Sequence, residues 1–215
     1  MRIKAVFFDF DGLIVDTETH EYQAWSRIFK GHGAELPLED WSICIGTMDH
    51  NFDPVGFLSN VTQQELDRIA LIQEHREEYH RGAFTAPLME GISERLEEAE
   101  ELGLKKAVVS SSTYDWVGRH LAIRQLQERF DLIQTSEEVT RTKPDPQLYL
   151  LALEKLNLAP DEAIVFEDSA HGIDAAKAAG LYAVAVPNSV TSHLPFSNAD
   201  RVLGSLSEIS LREFL

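Results

Sequence analysis

The chain has 215 residues, 44% of them hydrophobic, and a formal charge of −17 at pH 7. This composition suits a protein with a substantial core, and its acidic excess repels nucleic acids and anionic membranes. No apolar stretch approaches the roughly 20 residues that cross a bilayer, and the single Cys44 excludes an intrachain disulfide. We therefore expect a cytoplasmic protein without nucleic-acid or membrane partners, and a monomer by default.

The first predicted strand, Ile3 to Phe10, ends in two closely spaced aspartates, Asp9 and Asp11. Carboxylates beside an apolar strand are costly to bury unless a cation or hydrogen-bond donors meet them. A calcium loop of the EF-hand type would need oxygen ligands at alternate positions, where this chain has Leu13 and Val15. The pair therefore indicates a functional site of another kind.

Residues 16–85 differ from the rest because they read as helices without a convincing buried strand. One segment carries Tyr22, Trp25, Ile28 and Phe29 at helical spacing, and another carries Leu66, Ile69 and Ala70. The stretch between them, CIGTMDHNFDPVG, reads as a loop because its glycines and proline break helical continuity. We predict a helical domain, residues 16–85, inserted into a core domain formed by residues 1–15 and 86–215.

The remainder of the chain alternates between strands and helices. Apolar runs predict strands at 107–110, 132–136, 163–166 and 182–187, and amphipathic patterns predict helices in GISERLEEAEELG, PQLYLLALEKLNL and HGIDAAKAAG. Strands and helices of this length imply right-handed crossovers. The predicted fold class is therefore α/β, with a doubly wound and mostly parallel sheet.

Polar residues follow the predicted strands and should gather at one edge of the sheet. They are Asp9 and Asp11, Ser110 with Ser111 and Ser112, Lys143 in the loop TRTKPDP, and Glu167 with Asp168. Carboxylates and hydroxyls suit a hard cation such as Mg²⁺, and Lys143 with Ser110 would complete an anion pocket. Taken alone, Ser110 could be an ordinary strand-end hydroxyl and Lys143 a solvated loop lysine.

Four segments, DFDGLIVDTE, VVSSS, KPDP and EDSAHGIDAAKAAG, resemble in order and spacing the four motifs of the haloacid dehalogenase-like hydrolases. They are most similar to the branch of phosphatases and β-phosphoglucomutase relatives with a small helical cap after the first motif. The resemblance covers nearly the whole chain. It implies a Rossmann-like core with a cap, and it supports the functional reading of Ser110 and Lys143.

The resemblance implies that Asp9 is the nucleophile and forms an aspartyl-phosphate. Asp11 would protonate the leaving oxygen and later act as the base towards water. The dehalogenases of this family lack an acid at the position of Asp11, since a halide leaves without a proton. Phosphate-ester chemistry is therefore favoured over dehalogenation.

The same resemblance implies a Mg²⁺ site. Its ligands would be Asp168, the Asp9 carboxylate and the Asp11 backbone carbonyl, with Glu167 in or next to the coordination shell. The phosphoryl oxygens would be bound by Ser110, Ser111 and Lys143, and Thr17 matches a structural hydroxyl of the first motif.

The cap sequence bears on the reaction. Mutase relatives carry basic cap residues for a second phosphate, but Asp49 stands where such an arginine would be expected, and Arg76 lies in an otherwise acidic helix. We expect a Mg²⁺-dependent phosphatase for a small phosphorylated metabolite, such as a sugar or nucleoside phosphate. A β-phosphoglucomutase-like phosphotransferase and a non-catalytic phosphometabolite-binding protein remain as alternatives.

Overall fold

A computed structural model describes residues 3–47 and 52–215, so Asp49 lies outside the described residues. The strands in these ranges are β1 (Ala5–Phe8), β2 (Lys105–Val109), β3 (Leu132–Gln134), β4 (Ala163–Glu167), β5 (Tyr182–Ala185) and β6 (Arg201–Val202). All pairings are parallel, and the order across the sheet is β3-β2-β1-β4-β5-β6. The predicted doubly wound α/β fold is confirmed.

The helices of the described residues fall into an inserted group and a group that covers the sheet. The inserted helices are α1 (Thr17–Gly31), α2 (Leu38–Ser42), α3 (Pro54–Thr62) and α4 (Arg68–Thr85). The covering helices are α5 (Ile92–Glu101), α6 (Tyr114–Ile123), α7 (Gln147–Leu156) and α8 (Ala170–Ala178). Short 3-10 helices occur at Gln127–Arg129, Ser136–Glu138, Pro160–Glu162, Leu206–Glu208 and Leu211–Phe214. No helix in the described ranges is both long and apolar enough to cross a membrane.

Strand β1 lies in the middle of the sheet and is buried on both faces. Val6 and Phe8 belong to a core shared with α5 and α6, whereas Ala5 and Phe7 belong to a core shared with α7 and α8. Successive side chains of a strand point to opposite faces, so a continuous apolar run fits a sheet covered on both sides. This burial explains why the sequence AVFF is uninterrupted.

The inserted helices α1 to α4 have a hydrophobic cluster of their own, which includes Trp25, Phe29, Trp41 and Leu58. The predicted loop between them ends earlier than expected, because α3 begins at Pro54 and contains Gly56. The loop reading of Pro54 and Gly56 was therefore wrong. Proline is well tolerated in the first turn of a helix, where its missing N–H has no intrahelical partner.

His120 on α6 is a fully buried histidine of the sheet-covering group. Its Nδ1 lies 3.1 Å from Nη1 of Arg124, which can only donate, so Nδ1 accepts and the proton of the neutral ring is on Nε2. Among the described residues, Nε2 has no hydrogen-bond partner. Burial, followed by the charge of Arg124, lowers the pKa of His120 to about 3. The folded protein therefore keeps this ring neutral.

Candidate active site

The strand register brings the predicted site residues together at the carboxyl edge of the sheet. Phe8, the last residue of β1, pairs with Val108 on β2 and with Phe166 on β4. Asp9 follows β1 directly, and its backbone N–H donates to the carbonyl of Phe166 at 3.0 Å. Asp9 therefore lies between the ends of the two neighbouring strands. This is the arrangement expected for a ligand site in an open parallel sheet.

Lys143 is the cation at the centre of this edge, and only 1% of its surface is exposed. Its Nζ donates to Oδ1 of Asp9, to Oε1 of Glu167 at 2.6 Å and to the carbonyl of Val109 at 2.7 Å. Burial alone would lower the pKa of Lys143, but the charges and hydrogen bonds of Asp9 and Glu167 raise it above its ordinary value. The ammonium group therefore stays charged and all three of its protons are used.

The carboxylates of Asp9, Glu167 and Asp168 form a buried cluster in which their nearest oxygens lie within 4.8 Å of one another. Burial, then repulsion from Glu167, raises the pKa of Asp9 to about 8. Burial, then repulsion from Asp9 and Glu167, also raises the pKa of Asp168 well above its usual value. One lysine thus leaves this cluster short of positive charge.

Asp168 is held by Asn188, which follows β5 at the same edge of the sheet. Nδ2 of Asn188 donates to Oδ2 of Asp168 at 2.7 Å. The backbone N–H groups of Val190 and Thr191 donate to Oδ1 of Asn188 at 2.9 and 3.2 Å, which fixes the orientation of its amide. Gly12 is required nearby, because its φ is +78° and a Cβ would lie 2.1 Å from Oδ2 of Asp168.

Asp11 lies next to this cluster and accepts hydrogen bonds from three side chains. The hydroxyl of Thr17 and the indole Nε1 of Trp116 both donate to its Oδ1 at 2.8 Å, and the hydroxyl of Ser112 donates to its Oδ2 at 2.6 Å. Thr17 is the first residue of α1, so the inserted helices are tied to Asp11 at their start. The motif hydroxyl of Thr17 thus has a defined partner.

The two serines of the predicted phosphate site, Ser110 and Ser111, have partners other than Asp11. The hydroxyl of Ser110 accepts from the backbone N–H of Ser112 at 2.9 Å, which shapes the turn after β2. The hydroxyl of Ser111 donates to the carbonyl of Gly46 at 3.1 Å, in the inserted segment. Both serines line the same pocket as Asp9 and Asp11.

This pocket has a volume of about 220 Å³ and lies between the sheet edge and the inserted helices. Its walls include Glu18 and Glu21 of α1 and three aromatic residues, Trp25, Trp41 and Tyr79. Burial, then the charge of Glu21, raises the pKa of Glu18 above its usual value, and burial, then Asp11, raises that of Glu21 to about 7. The described walls contain no lysine or arginine.

The comparison with known protein families agrees with the four motifs. The family model described as haloacid dehalogenase-like hydrolase matches residues 6–186. The chain belongs to the haloacid dehalogenase-like hydrolases. The match begins in β1 and ends just after β5, so it includes the strand ends that build the pocket.

Similar proteins from this family include phosphatases. The chain is 44% identical to YhcW of Bacillus subtilis (strain 168), over 97% of this chain and 94% of that protein. It is 30% identical to the phosphorylated carbohydrates phosphatase of Thermotoga maritima, over 83% of this chain and 82% of that protein. The crystal structure of CbbY from Rhodobacter sphaeroides in complex with phosphate has a TM-score of 0.76 and 27% identity, and the match covers 99% of each chain. These relatives support phosphatase activity for this hydrolase.

The donor set fits Mg²⁺, the metal expected for this hydrolase. Its three buried carboxylates are oxygen ligands. Burial and then mutual repulsion raise the pKa values of Asp9 and Asp168, and a bound cation would offset both effects. Glu167 already has protein donors, since its Oε1 accepts hydrogen bonds from Lys143 and from the hydroxyl of Tyr149 at 2.5 Å. Because these donors occupy Oε1, a position of Glu167 next to the coordination shell is favoured over direct coordination through this oxygen. There it would hold Lys143 in place.

Three residues that contact the site were missed in the sequence. Tyr149 was read only as part of an apolar helical stripe, although a buried tyrosine hydroxyl generally requires a partner. Asn188 follows the last predicted strand. The rule that polar residues after parallel strands gather at one edge of the sheet, which identified Asp168, could therefore have identified Asn188 too. Trp116 lies on α6, a helix that the sequence reading did not predict, and no local signal connects it with Asp11.

Proposed function

We propose that this hydrolase is a Mg²⁺-dependent phosphatase that cleaves a small phosphomonoester through an aspartyl-phosphate on Asp9. The observation that carries the proposal is the meeting of Asp9, Glu167 and Asp168 around Lys143, with Asp11 in the same pocket. A binding protein would gain nothing from a nucleophilic carboxylate beside a phosphate group, because like charges repel.

The residues that would hold Mg²⁺ are Asp9, Asp168 and the backbone carbonyl of Asp11, with Glu167 at the edge of the shell. When bound, the ion would neutralise part of the negative charge of the phosphoryl group and of the carboxylates around it. Lys143 adds a fixed positive charge beside Asp9, and the hydroxyl of Ser110 would donate towards the phosphoryl oxygens. The hydroxyl of Ser111 would do the same after releasing the carbonyl of Gly46.

The chain's own residues account for both halves of the reaction. A carboxylate oxygen of Asp9 attacks phosphorus, the bond from phosphorus to the alcohol oxygen breaks, and Asp11 gives that oxygen a proton. In the second half, water attacks the phosphorus of the aspartyl-phosphate while Asp11 accepts a proton from the water. Inorganic phosphate leaves, and the carboxylate of Asp9 is regenerated.

The inserted helices would act as a cap, comprising residues 16–85, that covers the pocket. Several hydrogen bonds join them to the core, including Ser111 to the carbonyl of Gly46, His171 to the carbonyl of Ile43 at 3.0 Å and Ser42 to His193 at 2.8 Å. A cap in this position would exclude bulk water from the aspartyl-phosphate and contact the alcohol portion of the substrate.

The walls of the pocket favour hydrolysis over a mutase reaction. A mutase must bind a second phosphate, whereas the described walls place Glu18 and Glu21 in the pocket and offer no basic residue to bind it. Carboxyl groups and aromatic faces instead suit a hydroxylated, uncharged leaving group. The name of the T. maritima relative agrees, and we propose a phosphorylated carbohydrate as the substrate class.

The test is phosphate release from a panel of sugar, sugar-alcohol and nucleoside monophosphates, with Mg²⁺ and with EDTA. Release should require Mg²⁺ and disappear in Asp9→Asn, while Asp115→Asn, which alters an exposed carboxylate of α6, should keep it. Isomerised sugar phosphate with little phosphate release would favour the mutase. Binding of these esters without turnover would favour the non-catalytic alternative.

A further inference from the structure

Trp116 links the inserted helices to the carboxylate of Asp11. It lies in the first turn of α6, where its backbone N–H donates to the Thr113 hydroxyl that caps this helix. Its indole Nε1 donates to Oδ1 of Asp11 at 2.8 Å. One side chain thus connects a helix of the core with the residue proposed to give the leaving oxygen its proton.

The three donors to Asp11 do not constrain it equally. The hydroxyls of Thr17 and Ser112 rotate about their C–O bonds and can accept as well as donate. The indole N–H of Trp116 is a donor only, and its direction is fixed by the plane of the ring. The orientation of the Asp11 carboxylate therefore depends most on where the indole ring lies.

The ring of Trp116 packs against the core and also against α4 of the inserted group. Ring centroids of Tyr79, His80 and Phe84, all on α4, lie 5.2, 5.5 and 5.3 Å from that of Trp116. A fourth ring, His120 at 4.2 Å, belongs to α6 itself. Three of these four ring contacts therefore come from α4, and they would be lost if α4 moved away from the core.

We propose that Trp116 is a positioning residue for Asp11, through which packing of α4 against the core sets the direction of proton donation. The inference rests on the proposed function, in which Asp11 protonates the leaving oxygen. It adds that Trp116 transmits the position of α4 to the carboxylate of the general acid.

The test compares two esters that differ in their need for a proton. An alkyl phosphate, such as a sugar-alcohol phosphate, leaves as an alkoxide and needs the acid, whereas p-nitrophenyl phosphate leaves as a stabilised phenolate. The kcat/KM values report only the steps up to departure of the alcohol, so they isolate the acid role from later hydrolysis of the aspartyl-phosphate.

Trp116→Phe keeps an aromatic ring and removes the N–H donor. We expect its kcat/KM for the alkyl ester to fall roughly 10- to 100-fold, part of the 10²–10⁴ that a positioned acid contributes, and that for p-nitrophenyl phosphate to change by less than about 3-fold. Asp11→Asn should give the same pattern at larger amplitude. Phe84→Leu removes one ring contact between α4 and Trp116, and it should cause a smaller selective fall in kcat/KM for the alkyl ester.

The matched control is Val117→Ala, on the same helix. Val117 is fully buried in the core, so its truncation should lower the stability of the protein. The ratio of the two kcat/KM values should nevertheless equal that of the wild type. Thermal unfolding identifies any variant that fails to fold, and if Trp116→Phe fails, Phe84→Leu decides the question.

The outcomes separate the two claims. Suppose that the wild type is active and that Trp116→Phe folds. If the kcat/KM of the variant then falls equally for both esters, or for neither, the positioning role is overturned and the proposed function is left intact. Wild-type protein that hydrolyses neither ester, nor any other phosphomonoester, would overturn the proposed function and this role together.

Discussion

Replacing Lys143 with methionine should be among the most destabilising single changes in the protein. Methionine preserves an unbranched chain of similar length but removes the ammonium group. In the structure this group makes three hydrogen bonds, two of them to the carboxylates of Asp9 and Glu167, and its side chain is 1% exposed. Lys143→Met therefore leaves two buried carboxylates without their cation.

The expected loss is about 3–5 kcal/mol of unfolding free energy, the range for removing one partner of a buried ion pair. It should be measured by urea unfolding in EDTA, so that no divalent cation replaces the missing charge. Adding Mg²⁺ should restore part of the loss, since the ion would supply positive charge to the same carboxylates.

The matched control is Lys155→Met. Lys155 also pairs with a carboxylate, Glu138, at 2.5 Å, but both side chains are about one third exposed or more. A surface pair of this kind contributes less than about 1 kcal/mol. If Lys143→Met cost no more than this control in EDTA, the view of Lys143 as the charge that keeps the cluster folded would be refuted.

Three further predictions concern the metal, a backbone position and pH. Saturating Mg²⁺, about 100 times its Kd, should raise the wild-type Tm by roughly 5–10 °C, and a similar rise in Asp168→Asn would contradict the assigned ligands. Gly12→Ala should cost more than about 1 kcal/mol beyond the cost of Gly103→Ala, measured by urea unfolding. Both glycines have positive φ, but a Cβ at Gly12 meets Asp168 whereas one at Gly103 has nothing within 4 Å, so equal costs would contradict the steric reason. Between the ordinary histidine pKa near 6.5 and the folded value of about 3, only the unfolded chain protonates His120, so stability falls by about 1.4 kcal/mol per unit as pH decreases. His120→Phe should reduce the slope of unfolding free energy against pH by that amount between about pH 6 and 4.5, and an unchanged slope would show that this ring is not kept neutral.

The sequence was a good guide wherever a local pattern had one structural solution. The five longer strands were predicted from their apolar runs, which are fully buried in β1 and β4 and partly buried in the edge strand β3. Ile3 and Phe10 were included in the first predicted strand but lie outside β1 as observed. Strand β6 was missed because Arg201 and Val202 are too few to form a pattern. The start of α3 was missed because proline was read as a helix breaker instead of a first-turn residue.

The candidate site was predictable because parallel strands end at a common edge. The sequence identified Asp9, Ser110, Glu167 and Asp168 from this rule without knowledge of the strand order. It could not assign their partners. Lys143 was expected to face the phosphoryl oxygens, but all three of its donors contact Asp9, Glu167 and Val109. Its remaining role towards a phosphoryl group would be exerted through charge.

The sequence by itself determined the fold class, the family and the residues at the strand ends, because these depend on periodicity and on ordered motifs along the chain. Only the tertiary structure decided which group each polar atom contacts. Three hydrogen bonds of the site join residues that lie 18 to 105 positions apart in the chain: Asn188 to Asp168, Tyr149 to Glu167 and Trp116 to Asp11. A hydrogen bond depends on distance and direction in space, and neither quantity is encoded in spacing along the chain.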